Sequence, residues 1–361
     1  MGVKRIIGID ICKIIGMLMI CTLHFVGKGG VLQSNDTVIS TVGYLAKSIS
    51  IVGVNLYILA TGYLMCKHNV KLSRIVNVWT ETLFYSVPIG LFVSIYRGDL
   101  GLSGIIKSFL PVTSIEYWYI TSYILLLLFI PALNQMINAL NRGQAYGILL
   151  AITIVFSLWK SIFPNNGLLE TGYQQGYGIV WMICIYLFGA VLRLYPIQAK
   201  TWMISAFYFL CVSCTFVGNF ICRIQGFLDD GNKMFDYNHI FILCASLALF
   251  TLFLRIDIEN NMIRKIVSFI ATHTLAVYLI TEQFKFKTVV WEVVADLANT
   301  GSYITGVLVS SFGIIIVFAV CVLIDVVRGR LFDAALLNQK ITKFIDGITN
   351  KVKIAWKKQR Q

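Results

Sequence analysis

The first apolar segment of the chain contains three side chains capable of acid–base chemistry, Asp10, Lys13 and His24. Lys13 and His24 are eleven residues apart. At about 100° per residue this is three helical turns plus about 20°, so both lie on one face of a helix. Asp10 lies about 40° from His24 around that helix and is close enough to pair with Lys13. A neutral imidazole can take a proton from an alcohol or act as a nucleophile, so the spacing predicts a catalytic stripe.

The composition indicates that a membrane positions this stripe. The chain has 361 residues, of which 58% are hydrophobic and 13% are charged, whereas an average soluble domain has roughly 25% charged residues. No single water-soluble core could bury this much apolar surface. The composition therefore excludes a soluble enzyme, a secreted disulfide module and a disordered regulator. It predicts an all-α, polytopic integral membrane bundle.

Ten apolar segments approach or exceed the length of about 20 residues that a membrane-spanning helix needs. They are residues 6–26, 38–65, 75–96, 117–133, 145–163, 177–195, 201–222, 238–255, 266–286 and 303–327. With ten spans, both termini lie on the same side of the membrane. The sequence thus predicts a transmembrane domain over residues 1–327 and a separate tail over residues 328–361.

The distribution of basic residues predicts the side of the membrane on which both termini lie. If the termini are cytoplasmic, twenty basic residues fall inside and eight outside, as expected when cytoplasmic loops carry the positive charge. The predicted location is a cell (plasma or inner) membrane. In the tail, the apolar residues Ile341, Phe344, Ile345, Ile348 and Val352 recur at helical spacing before Trp356. This pattern is typical of an amphipathic helix on anionic lipids, which are a sufficient partner, so no nucleic acid is expected.

Ionisable groups inside a bilayer cost at least about 2.5–3.5 kcal/mol each, which makes them candidates for function. For Asp10 and Lys13 the alternative is a structural ion pair near the interface, with His24 an interfacial residue. Glu81 and Glu282 either line a cavity or serve packing alone. His273 lies about 180° from Glu282 around a straight helix, so we expect it to be a packing residue. The nine cysteines have no spacing that predicts a metal site.

Several segments of the chain resemble the membrane-bound acyltransferase family 3, particularly its stand-alone O-acetyltransferases of bacterial surface polysaccharides. The first helix of that family has a basic residue, ten intervening residues and a histidine, and Lys13 and His24 fill this pattern. The further matching segments are VNLYILATGYLM, EYWYITSYILLLLFIPALN, GYGIVWMICIYLFGAVLRLY and THTLAVYLITEQF. The resemblance covers about residues 1–327 and excludes only the basic tail.

The sequence departs from the family pattern at two positions. Thr281 stands where the late motif usually ends in histidine, and Glu282 follows it. The role of that second histidine therefore does not carry over, although Glu282 is a possible substitute. Lys13 replaces the commoner arginine, which keeps the charge but loses the bidentate geometry toward phosphate.

The resemblance implies an acyl-CoA donor, most often acetyl-CoA, and a polysaccharide or lipid-linked glycan acceptor. Positive charge at the inner face suits the phosphates of CoA, and the candidates besides Lys13 are Lys67, Lys71, Arg74, Arg264 and Lys265. His24 would activate a sugar hydroxyl or briefly carry the acyl group. Tyr57, Trp118 and Tyr119 are candidates for stacking on a sugar ring, with an aromatic interface belt as the alternative.

Two other functions stay open at this point. A multi-pass transporter or flippase for a lipid-linked glycan or anionic solute would also have ten spans with buried charges. An acyltransferase could instead act on a cytoplasmic small molecule or amino acid.

Overall fold

The computed structural model describes residues 5–68, 70–98, 101–113, 116–163, 175–299, 301–334, 340 and 342–347. All regular secondary structure in these ranges is helical, which confirms the all-α prediction. The helices are α1 (Ile7–Lys28), α2 (Thr37–Ser50), α3 (Gly53–Met65), α4 (Leu72–Arg97), α5 (Leu102–Phe109), α6 (Trp118–Ala139), α7 (Arg142–Ile152), α8 (Trp159–Ile162), α9 (Ile179–Leu194), α10 (Thr201–Ile224), α11 (Leu228–Lys233), α12 (Ile240–Leu254), α13 (Asn261–Thr272), α14 (Thr274–Thr281), α15 (Val289–Ala298) and α16 (Tyr303–Ala334). A π-helical segment, Thr153–Leu158, joins α7 to α8.

In the described part of the chain, eight helical stretches are long and apolar enough to cross a membrane. They correspond to eight of the ten predicted segments. The other two predicted segments form the shorter apolar helices α9 and α12, of 16 and 15 residues. The protein is therefore a multi-pass membrane protein.

Helices α3 and α9 form a tightly packed pair at the centre of the bundle. A Cβ atom on Gly62 would lie 2.1 Å from the carbonyl oxygen of Tyr186, and one on Gly189 would lie 2.3 Å from that of Leu59. The absence of these side chains lets the two backbones approach closely, as is common where helices pack inside membranes. Eleven residues of α9 are buried, so this short helix is a core element.

Helix α1 lies among most of the other central helices, packed against α2, α3 and α12 through α16. Its neighbours include two broken spans. The predicted segment 38–65 is interrupted between α2 and α3, and the predicted segment 266–286 is interrupted at His273, between α13 and α14. Irregular backbone at membrane depth is tolerated where protein rather than lipid surrounds it.

Helix α16 continues through the predicted boundary at residue 327 as far as Ala334. Arg328, which the sequence assigns to the tail, therefore belongs to the bundle, and 12% of its side chain is exposed. Of the residues that predict the amphipathic tail helix, Phe344 and Ile345 lie in the described segment 342–347. Ile341, Ile348, Val352 and Trp356 lie outside the described residues.

Candidate active site

His24 lies one turn before the end of α1, in a site closed by α14 and α15. Its ring centroid is 6.4 Å from that of Tyr278 on α14 and 6.4 Å from that of Trp291 on α15. Only 19% of the His24 side chain is exposed. The imidazole is therefore enclosed by aromatic rings contributed by segments far from it in sequence.

The carboxylate of Glu282 is shared between His24 and Lys28. Its Oε1 atom lies 3.2 Å from Nδ1 of His24 and also accepts a hydrogen bond from Nζ of Lys28. The His24 contact has the distance of an ion pair but is not aligned as a hydrogen bond, so Nδ1 has no hydrogen-bond partner within the described ranges. Lys287 lies within electrostatic range of both His24 and Lys28. One carboxylate thus faces an imidazole and one ammonium group, and a second ammonium group lies near both of its partners.

A turn after α14 fixes the position of Glu282. Helix α14 ends at Thr281, and Glu282 is its C-cap, with a backbone N–H that donates to the carbonyl of Tyr278. Gln283 is fully buried, and its side-chain oxygen accepts the backbone N–H groups of Lys285 and Phe286 at 2.9 and 3.2 Å. The chain therefore leaves α14 in a closed turn that presents Glu282 to the end of α1.

Helix α15 packs directly against the end of α1. A Cβ atom on Gly29 would lie 3.1 Å from the carbonyl oxygen of Trp291 and 3.3 Å from Cβ of Ala295, so the absence of a side chain at Gly29 permits the contact. Trp291 is fully buried, yet its indole Nε1 has no hydrogen-bond partner among the described residues. Three buried polar atoms without partners among the described residues, Nε1 of Trp291, Nδ1 of His24 and the hydroxyl of Tyr278, therefore belong to one site.

The structure corrects the predicted pairing of Asp10 with Lys13. Both oxygens of Asp10 are occupied by Arg5, with Nε–Oδ2 at 2.6 Å and Nη2–Oδ1 at 3.3 Å. The hydroxyl of Ser268 donates to Oδ2 at 2.7 Å. The planar guanidinium reaches back over the start of α1 and satisfies the carboxylate, which leaves Lys13 without it. Asp10 is thus a helix-anchoring residue at some distance along α1 from His24.

Lys13 lies in a positively charged region at the opposite end of α1 from His24. It makes no ion pair with any described residue, and Asp10, Arg5 and Arg74 lie within electrostatic range of it. Arg264 joins this region, because its Nη2 donates to the carbonyl of Arg5 at 3.4 Å. Of the other predicted phosphate ligands, Lys67 and Lys71 are exposed, and Lys265 is not among the contacts of Lys13.

A row of aromatic rings lies between the positively charged region and His24. Arg74 donates to the hydroxyl of Tyr123 at 3.4 Å. The Tyr123 ring stacks on Tyr119 at 5.9 Å, Tyr119 contacts Tyr278 at 5.7 Å, and Tyr278 neighbours His24. The predicted residue Tyr119 thus belongs to a continuous row that ends at the imidazole.

The other two predicted aromatic residues lie in different places. The hydroxyl of Tyr57 donates to the backbone carbonyl of Lys13 at 2.7 Å, which places it against the inner part of α1. Trp118 instead packs on Tyr177 and Tyr237, with ring centroids 4.6 and 5.9 Å away. The structure brings Tyr57 to Lys13 and does not place Trp118 among the ring contacts of His24.

Glu81 and His273 belong to a second buried cluster. Nδ1 of His273 lies 2.6 Å from Oδ2 of Asp325, so the expectation that His273 only packs is wrong. Oδ1 of Asp325 is 2.5 Å from both Nε of Arg328 and the hydroxyl of Tyr85. Glu81 completes this cluster through Nη2 of Arg328 at 3.3 Å. The structure therefore does not bring Glu81 together with Glu282.

Sequence reasoning misses Lys28, Trp291 and Asp325. The predicted topology assigns Lys28 to an outer loop, but its spacing of four residues from His24 on one helix places both on the same face. Trp291 carries no local signal. Asp325 has one, its spacing of three residues from Arg328, but its other partners, Tyr85 and His273, lie far away in the chain.

The chain matches a family model described as Acyltransferase domain, that of acyltransferase family 3, over residues 6–326. No curated protein and no solved structure matches the chain.

Proposed function

The chain belongs to acyltransferase family 3 and is a membrane acyltransferase, and from this premise we propose that it is an O-acyltransferase. The donor is acyl-CoA carrying an acetyl or other short acyl group. The acceptor is a hydroxyl of an exported or cell-envelope polysaccharide, free or lipid-linked. The observation that carries this proposal is the enclosed His24 imidazole beside the Glu282 carboxylate.

In the proposed mechanism, His24 takes the proton of the acceptor hydroxyl. Nδ1 faces Glu282 at 3.2 Å, which leaves Nε2 as the nitrogen for the substrate. A small rotation of the ring converts the Nδ1 contact into a hydrogen bond, which fixes the tautomer and stabilises the imidazolium that forms. Glu282 thereby acts as a positioning residue. The same nitrogen could carry the acyl group transiently, and both routes use the same geometry.

The donor is proposed to approach from the positively charged region around Lys13. Phosphate groups bind Arg and Lys side chains by charge-assisted hydrogen bonds, and Arg5, Arg74 and Arg264 lie close to Lys13 or to one another. Lys13 and His24 are about 16 Å apart along α1, a span that the extended pantetheine arm of CoA suits. The row Tyr123, Tyr119 and Tyr278 provides an apolar wall along this path.

The proposed orientation places both termini in the cytoplasm. The positive-inside distribution supports it, and CoA made in the cytoplasm would then meet Lys13 first. His24, near the other end of α1, would meet a glycan on the outer side. The basic tail would rest on anionic lipids of the inner leaflet.

The proposal is tested by acyl transfer in a purified system. The wild-type protein in lipid nanodiscs is supplied with labelled acetyl-CoA and membrane glycans, and label in the glycan is measured over time. We expect transfer by the wild type, almost none by His24→Ala, and a raised KM for acetyl-CoA with Lys13→Ala. The matched control is His68→Ala, since His68 is exposed and lies outside the site.

Two outcomes contradict the proposal. Equal transfer by wild type and His24→Ala would remove His24 from the chemistry. If the wild type neither transfers nor hydrolyses acetyl-CoA but moves a lipid-linked glycan across the bilayer, the protein is a flippase.

A further inference from the structure

We propose that the indole N–H of Trp291 is a further catalytic group, which donates a hydrogen bond to the acyl carbonyl oxygen during transfer. This inference rests on the proposed function and assigns a role to a residue that neither the family pattern nor the sequence reasoning identifies. It requires a buried donor without a protein partner next to the imidazole, and Nε1 of Trp291 meets that requirement among the described residues.

The first observation is the state of the indole nitrogen. Trp291 is fully buried, and Nε1 has no hydrogen-bond partner in the part of the chain that the structure describes. Leaving a buried donor without an acceptor is unfavourable, and buried indoles usually find a partner. Trp181 shows the usual arrangement in this protein, because its buried Nε1 donates to Oδ1 of Asn55 at 3.2 Å. A buried indole without an acceptor therefore indicates that a ligand supplies one.

The second observation is the position of the indole. The Trp291 ring lies 6.4 Å from the His24 ring, inclined at 57°. A carbonyl group held between the two rings can accept from the indole while an incoming hydroxyl faces the imidazole. The close contact at Gly29 fixes α15 against the end of α1, so the indole is held by the backbone packing of both helices.

The chemistry balances with the groups named. The acceptor oxygen attacks the thioester carbon, its proton passes to His24, and the carbonyl π electrons move onto oxygen. The resulting oxyanion receives the hydrogen bond from Trp291, which strengthens as the charge develops. The intermediate then re-forms the carbonyl, the carbon–sulfur bond breaks, and the CoA thiolate takes the proton back from the imidazolium.

Trp291→Phe removes the N–H and retains an aromatic ring. We expect kcat to fall by about 100-fold, the usual effect of losing one such donor, with KM for donor and acceptor unchanged. The pH dependence of kcat should keep its shape, because His24 and Glu282 are intact. Trp181→Phe is the matched control. It should lower the melting temperature through the lost bond to Asn55 and leave kcat near that of the wild type.

Two analogues at position 291 separate chemistry from packing. Benzothienylalanine keeps the two-ring shape without the N–H and should be as slow as Trp291→Phe. A fluorotryptophan keeps the N–H and should restore transfer. If benzothienylalanine at 291 transfers as fast as the wild type, the inference is wrong although the proposed function stands. If the wild type itself shows no acyl transfer, the proposed function fails.

Discussion

Two buried clusters in this bundle are built from the same kinds of side chain but differ in how completely their polar atoms are paired. In the cluster around Asp325, the carboxylate binds His273, Tyr85 and Arg328 within 2.6 Å. Arg328 then pairs with Glu81. In the cluster around Glu282, His24 keeps an unaligned contact and Trp291 keeps a vacant donor.

The difference separates a structural cluster from a reactive one. Buried charges are stable when their hydrogen bonds are complete, and the Asp325 cluster joins α4 and α16 to the break between α13 and α14 in this way. Polar atoms left without protein partners are available to a substrate. A histidine beside a carboxylate therefore does not by itself mark the site, because both clusters contain one.

The largest expected effect on stability is at Asp325. Asp325→Asn removes the charge that Arg328 and His273 face in a site where 1% of the side chain is exposed. Breaking one partner of a buried pair destabilises by about 3–5 kcal/mol, and we expect about 3 kcal/mol by detergent-titrated unfolding. The exposed Asp296→Asn is the control. An unchanged unfolding midpoint for Asp325→Asn would mean that this cluster does not hold the helices together.

The next largest effect is on turnover at Glu282. Hydrogen bonds to charged groups are worth about 1.5–3 kcal/mol, so Glu282→Gln should slow acyl transfer by about 10–100-fold. Glu81→Gln, in the other cluster, should leave the rate per folded molecule unchanged. Equal losses in both variants would remove the distinction between the clusters.

Whether a contact in the two clusters could be predicted depends on how far apart its partners lie in the sequence. The common face of Lys13 and His24 is a property of one helix, so periodicity alone predicts it. The Lys28–Glu282 contact joins residues 254 positions apart, and the Tyr85–Asp325 bond joins residues 240 positions apart. Such partners are set by helix packing, which one sequence does not reveal. Asp10 is an exception, because its partner Arg5 is only five residues away and precedes the first residue of α1.

The fold also combines features that local sequence predicts with features that tertiary packing decides. Composition and segment length predicted the helical membrane bundle and eight of its spans. The break between α2 and α3 falls at Ile51–Val52, two apolar residues that would also suit an unbroken span. The break at His273 is occupied by the ion pair with Asp325, a partner from the last span. Local propensity cannot place breaks that tertiary contacts stabilise.

A smaller effect on stability is expected from a substitution at Tyr85. It tests whether the cluster around Asp325 has only a structural role. Tyr85→Phe removes one hydroxyl that donates to Asp325 at 2.5 Å. A hydrogen bond to a charged group is worth about 1.5–3 kcal/mol, and because Arg328 and His273 still pair with Asp325, unfolding should become easier by about 1.5 kcal/mol. Acyl transfer per folded molecule should stay the same. The control is Tyr96→Phe, at an exposed position, and a loss of turnover in Tyr85→Phe alone would give the cluster a catalytic role.

The last prediction concerns the pH dependence of stability and Asp236, a buried carboxylate that lies in neither cluster, just before α12. Burial raises the pKa of Asp236 to about 7, with Lys160, Lys233 and Lys47 opposing the shift. Because the folded protein favours the protonated carboxyl, this group's contribution to stability is lost as the pH rises from about 4 through 7. The melting temperature of the wild type should therefore fall relative to that of Asp236→Asn between about pH 5 and about pH 8. Parallel pH curves for the two proteins would contradict the assignment.

The most direct test of the central claim compares the two histidines. Transfer of label from acetyl-CoA to glycan is measured for His24→Ala and His273→Ala in the same nanodisc preparation, per folded molecule. General acid–base catalysis contributes about 10²–10⁴-fold, so His24→Ala should lose at least about 100-fold in rate. His273→Ala should melt at a lower temperature and transfer label at nearly the wild-type rate. If His273→Ala loses transfer while His24→Ala retains it, the reactive cluster is the one around Asp325, and His24 is not the catalytic base.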